Sequence, residues 1–327
     1  MRAGEGRRNA ARLTAPPTTV LPTVLRDRAK GLPMAHDTTS GPSRAGWPAV
    51  CAVFAMVVGF TYSDDLVEFA HVVAGRDTAN TRWITFLVDY VLVAGTLVLA
   101  WRMNRAGHTP SPPRQFLSAL LRGWWMLGAV LVILLHFAST ALAARPDTVG
   151  AAGIWINLGL SLCFVLAMGM VLAAALDGAH TGPAGMWARS TWIIPLMIGT
   201  FLVQIASALW FPILDTDAGC AGEISIGFFA QMVQVIPVLL ITLGIELSFT
   251  RRAGVLPAGE RAAPVLTVVL LCVAEVLALS MLVKGETTHC GTAAVWHEYI
   301  AFVVTVQAGA IGLATLVWLL ITGTAGD

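Results

Sequence analysis

AAPVLTVVLLCVAEVLALSMLVK, residues 262–284, is a 23-residue apolar stretch with a single acid, Glu275, inside it. A hydrocarbon core of roughly 30 Å needs about 20 helical residues to cross it. The stretch therefore reads as a membrane-spanning helix. An acid at that depth is costly in lipid, so it pairs, faces other helices or lines a wet cavity. Runs of similar length and character recur at 47–66, 83–102, 122–144, 150–175, 190–213, 225–249 and 297–322. Composition agrees, with 57% hydrophobic residues, 12% charged residues and a mean hydropathy of +0.75. Such values exclude an ordinary soluble domain. The expected fold is an all-α, polytopic integral membrane helix bundle over residues 46–324, with about eight transmembrane helices. Seven is the alternative count, because the apolar part of the first run, 47–60, is short.

Basic residues favour the cytoplasmic side of a membrane. With the N-terminus inside, 16 of the 20 Lys and Arg residues fall on the inner side, and only Arg76, Arg82, Arg145 and Lys284 fall outside. Both termini are then cytoplasmic, in the plasma membrane, and an even number of spans agrees. Residues 1–45 are rich in Pro, Arg, Ala and Thr without apolar periodicity, and read as a disordered basic cytoplasmic tail. The Arg7-Arg8 pair lacks the apolar segment that a twin-arginine signal requires, and Met34 is a second candidate start. A net charge of +1 gives no reason to expect a nucleic-acid partner.

Of five cysteines, Cys51, Cys163 and Cys272 stand in apolar helices as small hydrophobes. Cys220 and Cys290 fall in two outer connections, where an oxidising exterior permits a disulfide. The competing reading makes Cys220 and His289-Cys290 soft metal ligands, without the CxxC spacing of a zinc site.

Polar residues concentrate in the outer halves of the predicted helices. Asp89, His136, Asn157, Ser161, Gln204, Ser207, Gln231, Gln234, Glu275 and Gln307 all lie between the midplane and the outer side. The inner half is dry, and Glu246 is close enough to the inner end to snorkel. This one-sidedness predicts a cavity open outward, and competes with a set of interhelical hydrogen bonds that leaves no cavity. Asp89, Glu275, His136, Gln231 and Gln234 are the candidates for proton or cation handling, with Asp89 paired to His136 or Arg82. A second cluster, Thr61 to His71, places Asp64, Glu68 and His71 at i, i+4 and i+7 on one helical face. Glu68 and His71 form an ExxH, a spacing that lets one helix offer a carboxylate and an imidazole to a metal ion. With His136 and His297 these residues are the metal candidates. Pro195 and Pro237 fall inside predicted helices, where each would free a carbonyl and kink the chain.

No P-loop, dinucleotide fingerprint, HExxH or GxSxG occurs. Three function classes remain. The first is transport of a cation, a proton-coupled solute or a small molecule. The second is a membrane-embedded, metal-dependent enzyme acting on a lipid or apolar substrate. The third is an accessory or assembly subunit of a membrane complex. Membrane lipid is the expected surrounding, an ion or small molecule the expected ligand, and a homo- or hetero-oligomer the expected assembly. Convergence of acids and imidazoles in a pocket favours the first two classes, and dispersal favours the third.

Overall fold

The computed structural model describes residues 47–74, 81–106, 111–143, 151–177, 190–209, 220–253, 262–284 and 290–324. The predicted tail 1–45 and His289 lie outside the described residues. Among the described residues ten α-helices follow one another: α1 Trp47–Thr61, α2 Ser63–Val73, α3 Thr81–Ala106, α4 Pro113–Arg122, α5 Trp124–Ala143, α6 Ala151–Asp177, α7 Ile194–Leu209, α8 Ile226–Ala253, α9 Ala262–Lys284 and α10 Thr292–Thr324. Seven of these are long and apolar enough to cross a membrane, and the bent pair α1–α2 makes an eighth if it counts as one span. The chain is a multi-pass membrane helix bundle.

The first apolar run departs from its expected form. At Tyr62 the backbone leaves helical geometry, with φ −122° and ψ 27°, and α2 sets off at 77° to α1. Thr61, Ser63 and Asp64 bracket this break, and short polar side chains of this kind compete with the helical ladder for backbone groups. The new helix then starts with Asp64 and Asp65 in its first turn and ends with His71 in its last, a distribution its dipole favours. A second departure is α4, in a region expected to be a connection. Pro113 opens it at a position where a missing N–H is harmless, and Gly123, in extended conformation, separates it from α5. Phe116 and Leu120 are its buried side, and Phe116 packs edge-on against Trp101 at 5.4 Å. Pro195 is also placed differently: it is the second residue of α7, after a 3-10 turn at Thr191–Ile193, where a helix tolerates proline. Pro237 does sit inside a helix, α8, which continues past it to Ala253.

Close backbone approaches fix the packing. A Cβ on Gly128 of α5 would meet Val171 Cγ2 at 2.8 Å and the Ala167 carbonyl oxygen at 3.0 Å on α6. On Gly199 of α7 it would meet Ile311 Cα at 2.7 Å and N at 2.8 Å on α10. These pairs are in contact because glycine leaves room for the neighbouring backbone. The main core joins α1, α3, α5, α6 and α7 around Val53, Val132, Met168 and Leu172, all of them buried. The helices α8, α9 and α10 form a second group around Ile236, Leu243, Leu271 and Ala308. Outward faces such as Val235, Val238 and Ile241 of α8 are exposed and apolar, as contact with lipid tails requires.

Cys220 and Cys290 are joined by a disulfide and by an isolated antiparallel bridge. Their position defines a disulfide end of the bundle. Glu298, 4% exposed, reinforces that end: its Oε2 accepts the Gly222 N–H and its Oε1 the Ile224 N–H, each at 2.8 Å.

Candidate functional site

At the α1–α2 break the chain borders a cavity of about 400 Å³. Phe60, Thr61, Ser63 and Asp64 contribute from the break; Leu135, His136, Ser139 and Thr140 from the second half of α5; Asn157, Leu160, Ser161, Phe164 and Val165 from the first half of α6; and Gln204 from α7. Because successive spans run in opposite directions, these positions all belong to the half of the bundle that carries the disulfide. A polar cavity confined to one half is what the distribution of polar residues along the sequence predicts.

The chemistry centres on His136. It is 7% exposed and stands between two carboxylates, with Nδ1 2.8 Å from Oδ2 of Asp89 and Nε2 3.7 Å from Oδ1 of Asp64. Asp89 is fully buried on α3, and neither of its oxygens has a further hydrogen-bond partner among the described residues. Its close contact with Nδ1 orients the imidazole so that Nε2 faces the cavity and Asp64. Aromatic rings confine the histidine as well: Phe86 meets it edge-on at 5.0 Å, and Phe164 lies at 6.5 Å. The Ser139 and Thr140 hydroxyls both donate to the His136 carbonyl, at 2.8 and 2.9 Å, leaving their oxygen lone pairs available to accept. Asp64, by contrast, is 73% exposed.

A second polar network ties the break to α10. Tyr62 donates to Gln307 Oε1 at 3.0 Å, Gln307 Nε2 donates to Thr200 Oγ1 at 2.9 Å, and Thr200 donates to the Leu196 carbonyl at 2.9 Å. Tyr299 hydrogen-bonds the Asp65 carboxylate, and Phe69 packs against Trp296 with ring centroids 4.9 Å apart and planes tilted by 57°. One helix of eleven residues, α2, thus turns Asp64 toward the cavity while its neighbour Asp65 holds α10.

Several residues singled out in the sequence are placed elsewhere. Glu275, half-buried on α9, does not line the cavity, and its Oε2 has no hydrogen-bond partner among the described residues. Gln231 and Gln234 are exposed on α8, on the side turned away from the bundle. His71 faces its own helix, with Nδ1 2.9 Å from the Val67 carbonyl, and Glu68 is likewise outside the cavity lining. His297 meets Ser280 through Nε2 at 2.9 Å, between α10 and α9. Of the five metal candidates, then, Asp64 and His136 come together, and no group of three His, Cys, Asp or Glu suited to a metal ion occurs among the described residues. Glu298, which the sequence offers only as one more acid beside His297 at the outer rim, has a structural part that spacing does not show, since its partners are backbone N–H groups 76 and 74 positions away. No family model, curated protein or solved structure matches the chain.

Proposed function

We propose that this chain transports a cation, which enters the cavity at the disulfide end and is held between Asp64 and the Asp89-supported His136. The observation that carries this reading is the broken helix: polar residues of the α1–α2 interruption face a cavity across from a buried acid–imidazole pair. Interrupted helices with binding residues at the break recur at the substrate sites of secondary transporters. The acids Asp64, Asp65 and Glu68 on α2 add a negative field near the entrance that concentrates cations. Toward the opposite end the core is closed by Val53, Val132, Met168 and Leu172, which supports a state open to one face only. The distribution of Lys and Arg and the disulfide both support that face being the exterior of the plasma membrane. Cytoplasmic termini then require α1 and α2 to cross as a single broken span.

The test is uptake of mono- and divalent cations into proteoliposomes, measured by mass spectrometry for the wild type and for Asp89→Asn. Accumulation above protein-free vesicles that the variant lacks is the expected result, and folded wild type that accumulates none of the cations overturns the reading. A second reading, a membrane-embedded enzyme with His136 as general base, draws on the 2.8 Å Asp89–His136 contact, since a carboxylate behind an imidazole is a general-base arrangement. A chemical change in a ligand bound in the cavity, without net movement across the bilayer, would favour that second reading.

A further inference from the structure

We propose that α4 lies in the headgroup layer of the bilayer at the end opposite the disulfide, where its arginines and those closing α3 engage anionic phospholipid. This contact is at the far end of the bundle from the cavity and stands apart from the transport reading.

Ten residues give α4 a length of about 15 Å, half of what a hydrocarbon core requires. Its side chains divide into three sectors around the helix. Phe116 and Leu120, four positions apart, are buried against the protein. Leu117 and Leu121 form the adjoining stripe and are 44% and 46% exposed. Arg114, Ser118 and Arg122, at i, i+4 and i+8, are exposed on a further side. An exposed apolar sector beside a basic one is the pattern of a helix in the interfacial plane, with its leucines at the acyl boundary. Trp124, just after the Gly123 break, and Trp47, at the start of α1, are both exposed at this end, and indole rings collect at the membrane–water interface.

The second observation is charge. Arg102 and Arg105 near the end of α3, and Arg114 and Arg122 on α4, are all exposed, and none forms an ion pair with a carboxylate among the described residues. The end of α3 and the start of α4 are also fixed to one another. The Arg105 guanidinium sits over the Trp101 ring, 4.5 Å from its centroid, and Phe116 packs against that same ring. Asn104, 2% exposed, accepts from the Ser111 N–H and donates to the Ser111 carbonyl, each at 3.3 Å, which holds the approach to α4. A guanidinium over an aromatic face keeps its N–H edges free, and that planar fork matches a phosphate. Guanidiniums next to exposed leucines suit a partner with an anionic head and an apolar chain. An acidic soluble protein would meet the arginines and leave Leu117 and Leu121 without a partner.

The experiment is native mass spectrometry of the purified full chain, delipidated in detergent and offered equimolar phosphatidylglycerol and phosphatidylcholine with identical acyl chains. Wild type should retain phosphatidylglycerol in preference, by about tenfold or more. Arg105→Gln, Arg114→Gln and Arg122→Gln should each lower that preference about fivefold, the effect of one basic residue near an anionic surface, and the triple variant should lose it. The three positions are exposed, and an unchanged apparent Tm in plain detergent checks that each variant folds. Equal retention of the two lipids by folded wild type, or wild-type preference in the triple variant, overturns the assignment. Displacement of the lipid by excess inorganic phosphate would show a site for a free anion and overturn it as well. An equal loss of preference in Lys284→Gln, at the disulfide end, would reveal a general charge effect with no part for α4.

Discussion

Replacing Glu298 by alanine removes the acceptor for two backbone donors at once. Gly222 N–H and Ile224 N–H each give a 2.8 Å hydrogen bond to a carboxylate that is 4% exposed, and Ile224 is itself buried. Hydrogen bonds to a charged group contribute about 1.5–3 kcal/mol each, and a buried N–H left without an acceptor costs a similar amount, so Glu298→Ala should destabilise the fold by about 3–5 kcal/mol. Glu298→Gln keeps one acceptor oxygen but turns an NH₂ group toward the second N–H, so its effect should fall between alanine and wild type. Intrinsic tryptophan fluorescence on heating in detergent, with 11 Trp as reporters, gives the readout. At roughly 2–4 °C per kcal/mol for domains of 150–250 residues, the apparent Tm of the alanine variant should drop by no less than about 6 °C. Alanine and glutamine variants that both melt within about 2 °C of wild type would refute the view that this carboxylate clamps the 220–225 segment.

Other perturbations follow from the same structure. Gly199→Ala places a methyl within 2.8 Å of the Ile311 backbone, so α7 and α10 must separate; a loss of about 1–3 kcal/mol and a lower apparent Tm are expected, with serine at least as harmful. Cys220→Ser/Cys290→Ser opens a closure spanning 70 residues, worth about 4 kcal/mol in the chain-entropy view, and should lower the thermal midpoint to that of reduced wild type. Gln307→Leu strands the Tyr62 hydroxyl at a cost of about 1–3 kcal/mol. Adding Tyr62→Phe should recover part of that loss in a double-mutant cycle, and strictly additive effects would show that the two side chains are not coupled.

Much of this architecture is legible in the sequence because lipid imposes a simple rule: every span must be a long apolar helix. Depth along each helix is equally legible, so Asn157, Ser161, Gln204 and His136 fall at one level by residue counting alone. Which side of a helix faces inward is not. Spans such as α8 are apolar on nearly all sides, so no amphipathic stripe marks the inward face. Gln231 and Gln234 therefore have the expected depth and the wrong face. The bend at Tyr62 escapes for a different reason, since 63–73 continues a pattern compatible with helix and only tertiary contacts with α10 show that it turns. For Asp89, the sequence leaves His136 and Arg82 as rival partners; the structure brings the histidine to 2.8 Å, and the Arg82 side chain lies outside the described residues. Glu298 looks like one more solvated acid at a helix mouth until its backbone partners are seen.

The bond between Cys220 and Cys290 encloses one unit of the fold. Cys220 precedes α8 and Cys290 follows α9, so the covalent ring contains both helices of that pair. A protease that cuts once between 254 and 261 would leave a polypeptide that migrates as one species on a non-reducing gel and as two after reduction. The hairpin's outer ends stay tethered through such a nick, so a reporter or affinity tag inserted between 254 and 261 can be excised without releasing either half of the molecule.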